Sequence, residues 1–349
     1  MRTVLAAVFL FLLQAPPLDA HPLNVGYAEI TIQAPEVTIA LSLNLLELDL
    51  VLGLDRNLDA RVDQDELDAK RTVIVDYLRR KISVASAGEA LPVDVGAFAI
   101  GRGADGKDLF ETTLRFRSST PLAAVTVRAA PLTELGADHT TLATIIHGGH
   151  RQPFVFHEGV AYQGGAQSFW SSAFQFLGVG IHHIFLGYDH VAFLLGLLLV
   201  GGSLLAIVKI VTAFTVAHSV TLSLATLDVV TLPAPLVEAG IALSIAYVAL
   251  ENLFFTRFDK RWLVSFLFGF VHGFGFANVL KDMHLPTSSL VASLLFFNVG
   301  VEIGQIVIVA LVVPLLWALG LTRAYRTTTR LASVAIFSAA AFWFFQRAF

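Results

Sequence analysis

The chain has 349 residues, 56% of them hydrophobic and 14% charged, with a formal net charge of −4 and a mean hydropathy of +0.72. A soluble protein carries about 25% charge, so this balance excludes an ordinary soluble chain and fits a polytopic membrane protein, while the small net charge gives nucleic acid nothing to hold. Cysteine is absent and only two methionines occur, one of them Met1, which excludes disulfides, thiolate metal ligands and a soft copper(I) relay.

Residues 1–20 have the plan of a signal peptide: Arg2, an apolar core from Val4 to Leu13, and a cleavage end at Pro16-Pro17-Leu18-Asp19-Ala20. The apolar core is too short to span a bilayer. Cleavage leaves His21-Pro22 at the mature start, where a free terminal histidine can chelate a metal, although coincidence is the better explanation of its position.

Residues 21–167 read as a soluble, mainly-β domain. Ala28-Glu29-Ile30-Thr31-Ile32 and Val37 to Leu43 alternate in polarity and are interrupted by Pro35, as two strands joined by a turn would be. Phe110 to Phe116, Ala124 to Ala129, Leu142 to Ile146 and Phe154 to Phe156 behave similarly, and clusters such as Gly101 to Gly106 separate them. An antiparallel, sandwich-like frame follows.

Inserted in that frame, residues 55–66 carry Asp55, Asn57, Asp59, Arg61, Asp63 and Glu66 at the ligand positions of an EF-hand calcium loop. Val62 is the expected aliphatic. Ala60 departs from the pattern, since glycine normally makes the sharp turn there, and a positive φ at alanine costs roughly 1 kcal/mol. Leu45 to Leu54 leads in and a helical run from Leu67 to Lys81 leads out. A solvated acidic turn before a helix is the plainer alternative. His147, His150 and His157 close the domain. Seven of the eleven histidines fall between His139 and His190, either to gather metal near a pore or as scattered surface residues.

Residues 168–349 are membrane-grade sequence. Apolar segments of bilayer length lie at 187–204, 206–227, 234–256, 262–280, 288–319 and 331–347. With the soluble domain outside, the joints at Lys209, at Arg257, Lys260 and Arg261, and at Arg323, Arg326 and Arg330 all face the cytoplasm, while the joints at Asp228 and Lys281-Asp282 do not. Six spans satisfy the positive-inside rule. Phe169 to Phe185 as a seventh would invert the agreement, so that segment reads as an interfacial or re-entrant helix.

Ionisable groups at membrane depth are costly and mark function by default. His182, His183, Asp189 and His190 stand at the mouth of the first span; His218 lies in the second, Glu238 and Glu251 in the third, and His272 in the fourth. On the fifth, Asn298, Glu302 and Gln305 share one face, with Gly300 and Gly304 opposite for close packing. A lone membrane histidine is commonly a hydrogen-bonded structural group, but histidines on three spans with acidic partners on two others point to one shared divalent-metal site. Imidazole and carboxylate suit nickel, cobalt or zinc better than calcium or magnesium. On a straight helix His183 and His190 are about 10 Å apart, too far to share an ion held at about 2.1 Å. Either Leu186-Gly187 breaks the helix or the ligands come from different helices.

The stretch His183-Ile184-Phe185-Leu186-Gly187-Tyr188-Asp189-His190 with Phe193-Leu194-Leu195-Gly196 resembles the hallmark of the HupE/UreJ membrane proteins. Also similar are His218-Ser219-Val220-Thr221-Leu222, Phe270 to Ala277 and Phe297 to Gln305; Ile184 replaces the usual proline. The resemblance implies a nickel or cobalt permease of the bacterial inner membrane, in a longer branch with a secreted, periplasmic front domain. His183, Asp189 and His190 would capture the ion, and His218, His272 and Glu302 would pass it inward, with Glu238 and Asn298 nearby. No nucleotide-binding loop occurs in the sequence, so flux would be secondary or channel-like and would fall as histidines protonate. The rival readings are an intramembrane zinc metalloenzyme, which lacks an HExxH or GxSxG pattern, and a metal sensor or assembly factor without flux. Oligomeric state is open to either a monomer or a homo-oligomer.

Overall fold

Alternating burial along Val25–Gln33 (β1) and Glu36–Asn44 (β2) makes the first hairpin, turning at Ala34-Pro35 and pairing Ile30 with Ile39. The computed structural model describes residues 25–136, 139–164, 168–254, 260–281, 283 and 287–348. The expected signal peptide, His21, Arg257 and Asp282 lie outside the described residues. The described residues fall into two compact units, one within 23–176 and 278–293, the other within 177–277 and 294–349.

In the first unit the chain leaves β2 through α1 (Leu45–Leu52), the 55–66 loop, α2 (Gln64–Ala69) and α3 (Arg71–Lys81). Eight further strands follow: β3 (Ile82–Ser86), β4 (Glu89–Ala90), β5 (Val93–Arg102), β6 (Asp108–Arg117), β7 (Thr126–Ala129), β8 (Thr140–His147), β9 (His150–Phe156) and β10 (Tyr162–Gln163). They build a six-stranded sheet, β5-β6-β2-β1-β8-β9, and a four-stranded sheet, β10-β7-β3-β4. Ile30 and Ile39 of the first sheet share one core with Val84 and Val127 of the second and Tyr77 of α3. The expectation of an antiparallel frame needs one correction. β8 runs parallel to β1, and the chain between them is a long excursion through α1 to α3 and strands of both sheets, as parallel pairing requires of a connection.

The second unit is helical. Its elements are α4 (Phe169–Leu186, whose first turns belong to the first unit), α5 (Tyr188–Leu198), α6 (Leu204–Thr226), α7 (Ala234–Phe254) and α8 (Arg261–Phe274); after the short α9 (Ala277–Lys281), which lies in the first unit beyond Ala277, come α10 (Thr287–Gly320, in the second unit from Leu294) and α11 (Tyr325–Ala348). Four helices, α6, α7, α10 and α11, are each long and apolar enough to cross a membrane, and α4 with α5 passes the same test as one pair bent by 69°. The sequence segments at 187–204 and 262–280 are therefore not single helices. The first is the short second arm of the bent pair; the second divides into the 14-residue α8 and the five-residue α9. Large apolar side chains such as Leu243, Leu267, Leu295, Leu311 and Phe342 point outward and are more than half exposed, the pattern of a lipid-facing surface.

Glycines set the helix spacing inside this unit. A Cβ at Gly273 would run into Thr221 Oγ1 and the His218 carbonyl, and one at Gly269 would sit 2.7 Å from the Phe214 carbonyl, so α8 lies backbone-close on α6. Gly180 and Gly300 play the same part between α4 and α10, with Gly304 against Ile184.

Candidate metal centre

The bend at Gly187 creates the site. α4 ends at Leu186, but Gly187 still donates to the His183 carbonyl at 3.0 Å and accepts from the Val191 N–H at 2.8 Å, so the turn stays hydrogen-bonded. A Cβ at position 187 would lie 2.7 Å from the His183 carbonyl and 2.8 Å from His190 Nδ1. Only glycine fits the approach. The seven-residue separation that a straight helix would stretch to about 10 Å contracts until the His183 and His190 ring centroids are 4.5 Å apart.

His218 of α6 completes a group of three. His183, His190 and His218 each present a ligand atom, all three within 4.8 Å of one another, and all three side chains are buried; among the described residues no other His, Cys, Asp or Glu group meets this condition. Neither ring nitrogen of His183 has a hydrogen-bond partner, nor have Nε2 of His190 and Nε2 of His218. A buried unpaired polar atom costs about 1–3 kcal/mol, and such groups nearly always have a partner in a native protein. Asp189 Oδ1 lies 2.9 Å from His190 Nδ1, and Asn298 Oδ1 lies 3.2 Å from His218 Nδ1. A carboxylate or amide oxygen can only accept, so each ring donates from Nδ1 and keeps its Nε2 lone pair free, which is how ligating imidazoles are held in metal sites. Three converging imidazole lone pairs with no competing donor fit a divalent transition ion.

The surroundings keep the centre dry. Phe276 and Phe297 stack on each other with centroids 4.5 Å apart and flank His183 at 4.9 and 5.3 Å, while Phe214 stacks on His218 at 5.8 Å. A small cavity beside His190 is lined chiefly by Phe193, Leu197, Ile210, Phe214, Ser265 and Gln305.

The other sequence candidates lie around this group rather than in it. Asp189 accepts from the His190 N–H and ring with Oδ1, and its Oδ2 faces Arg347 at 3.6 Å. Asn298 serves His218. His272 is buried with its ring 5.0 Å from that of His190; its Nε2 pairs with Ser244 Oγ at 2.9 Å and its Nδ1 has no hydrogen-bond partner. Glu302 accepts from Thr212 at 2.9 Å with one oxygen, and its buried Oε2 has no hydrogen-bond partner. Glu238 offers its backbone carbonyl to Arg347. His182 is exposed. On α10, Asn298, Glu302 and Gln305 reach α6 while Gly300 and Gly304 pack on α4, so the two faces divide as the spacing implies.

Sequence reasoning missed Arg347, Gly180 and the Phe276/Phe297 pair. Arg347 is an ionisable group in an apolar segment, and the rule that singled out the histidines applies to it equally.

In the 55–66 loop, Ala60 has φ 63° and donates to Asp55 Oδ2 at 2.9 Å, the strained turn expected where glycine is usual. Glu66 is buried and accepts from the Arg56 N–H at 2.8 Å, and Asp63 and Glu66 form a capping box on α2. Asn57 and Asp59 accept from the N–H groups two residues on. The loop carboxylates bind backbone and do not converge. His147 and His150 pair across the β8–β9 turn and His157 is exposed, so these three do not gather.

Lipid-facing apolar helices around a buried polar centre define a multi-pass membrane protein. Residues 161–347 match the family described as HupE / UreJ protein. That match covers more than half of the 349 residues, and the chain belongs to the HupE/UreJ family. No curated protein sequence matches it.

Proposed function

We propose that this chain is a permease for a divalent transition metal, nickel or cobalt, acting in the inner membrane with its β-rich unit on the periplasmic side. The observation that carries the proposal is the buried convergence of His183, His190 and His218 with unpaired ring nitrogens. The ion is the cargo. In this reading the three imidazoles take it, Asp189 and Asn298 hold two of the rings in register, and His272 with Glu302 offers the next stations. The α4/α5 pair counts as the first of six crossings and α8 with α9 as the fourth, which keeps Lys209, Arg261, Arg323, Arg326 and Arg330 on the cytoplasmic side.

Uptake of nickel and cobalt into proteoliposomes tests this, comparing wild type with His190→Ala and His218→Ala. Flux in the wild type that is lost in both variants is the expected result. Three neutral imidazoles with an open fourth position are also the plan of a catalytic zinc site. No flux together with a tightly retained zinc ion would therefore move the reading to an intramembrane hydrolase; no flux with a freely exchanging ion would favour a sensor or assembly factor.

We infer also that the 55–66 loop takes calcium in a structural role, its carboxylates turning from backbone N–H groups onto the ion; the EF-hand spacing and the positive φ at Ala60 support this. Calorimetric titration of the full-length protein showing no calcium uptake at millimolar concentration would remove this part.

A further inference from the structure

One cation sits inside the polar shell of the centre. Arg347 of α11 is 6% exposed in its side chain; its Nη2 lies 3.6 Å from Asp189 Oδ2 and its Nη1 donates to the Glu238 carbonyl at 3.2 Å. Trp343, one turn earlier, packs its ring against the guanidinium at 5.8 Å. Buried charges persist when paired, and here the pair stands directly behind a metal-orienting carboxylate.

The chemistry of that carboxylate makes the arrangement consequential. A free Asp189 beside three imidazole nitrogens would be a fourth ligand with a full negative charge, and a dication held by such a set leaves slowly. Conduction requires binding weak enough for release. Oδ1 is already engaged by the His190 backbone N–H at 2.8 Å and its ring at 2.9 Å, and Oδ2 faces Arg347. The planar guanidinium reaches a carbonyl and a carboxylate at once, which an ammonium cannot do as well.

We propose that Arg347 is a positioning residue that holds Asp189 out of the metal's ligand set and offsets its charge, keeping the centre a three-imidazole site that releases its ion. This rests on the metal-centre reading above. The full-length protein in detergent is titrated with Co2+ and followed by its visible absorption, for wild type, Arg347→Gln, Arg347→Lys, Asp189→Asn and the double variant Asp189→Asn/Arg347→Gln. Freeing the Asp189 carboxylate to join the ligands should tighten Co2+ binding by about tenfold or more in Arg347→Gln, change the band pattern, and slow proteoliposome uptake. Arg347→Lys, which keeps the charge but not the two-pronged reach, should fall between Arg347→Gln and wild type. The double variant should match Asp189→Asn alone, and this comparison carries the test even if Arg347→Gln fails to fold. Wild type that binds Co2+ while Arg347→Gln binds it equally or more weakly, or a double variant that differs from Asp189→Asn, overturns the role of Arg347 alone. Wild type that binds no Co2+ overturns it together with the metal centre.

Discussion

The two units of this chain are inverted copies of one packing rule. In the β-rich unit the apolar sides of the longer strands face a shared core, and charges meet at the surface, as in Arg117 with Glu36 at 2.8 Å, Lys81 with Glu134 at 2.8 Å and Arg151 with Glu29. In the helical unit large apolar side chains face outward, while His183, His190, His218, His272 and Asp189 are buried. The first unit leaves its charged partners paired and wet; the second keeps imidazole nitrogens dry and unpaired. Water drives the first arrangement. The second is stable only where lipid replaces water outside.

Gly273→Val attacks the inverted unit at one of its close backbone approaches and should have the largest effect. The added side chain meets the His218 carbonyl backbone of α6, and overpacking of this kind should cost about 3 kcal/mol or more. Detergent-stable yield and melting temperature would register it. Next comes His218→Ala, which should lower Co2+ or Ni2+ affinity by roughly a hundredfold or more, since even outer partners of metal ligands are worth about 10–100-fold. Asn298→Ala removes only the oxygen that orients His218, so its loss should lie within about 10–100-fold, read by the same titration.

The β-rich unit should respond on a smaller scale. Ala60→Gly relieves a positive φ and should stabilise the 55–66 loop by up to about 1 kcal/mol, less the greater entropy glycine has when unfolded. Hydrogen exchange at the Arg61 amide would report it. Glu134 is the smallest case. Burial pushes its carboxyl up, but hydrogen bonds from Lys81, from its own backbone N–H and from Tyr77, with the Lys81 charge, hold it below the ordinary value of 4.5. A lowered folded value means stability that is present above pH 4.5 and is lost as pH falls through the folded value. For so exposed a pair, screening leaves at most several tenths of a kcal/mol. Native-state exchange of the β3 and β7 amides should show Glu134→Gln weaker than wild type near neutrality and equal to it in acid.

Much of this contrast is legible in the sequence because period is a local property. β1, β2 and β6 alternate cleanly and are found by that alone. β5 escapes because a bulge between Val95 and Phe98, with Gly96 inside it, disrupts the alternation, and β3 escapes because it follows α3 without a turn. The same holds at the centre. His183, His190 and His218 are visible as ionisable groups in apolar sequence, and the helix rise shows that the first two can meet only across a break. Which side of that conditional holds is not local: Gly187 permits a bend, while Gly180 packs the first arm on α10 and Gly196 packs the second against Val248 of α7.

By itself, then, the sequence determined the inverted composition of its second half, the break-or-separate condition on His183 and His190, the two faces of α10 and membership in a family of membrane proteins. The tertiary structure decided the 69° bend, the convergence of three imidazoles within 4.8 Å, the pairing of Asp189 and Asn298 with the rings of His190 and His218, and the approach of Arg347 from 158 positions away along the chain. The reason is distance: polarity and helix rise act over a turn or two of chain, whereas a coordination sphere a few ångströms wide is assembled by glycine-spaced helices far apart in sequence.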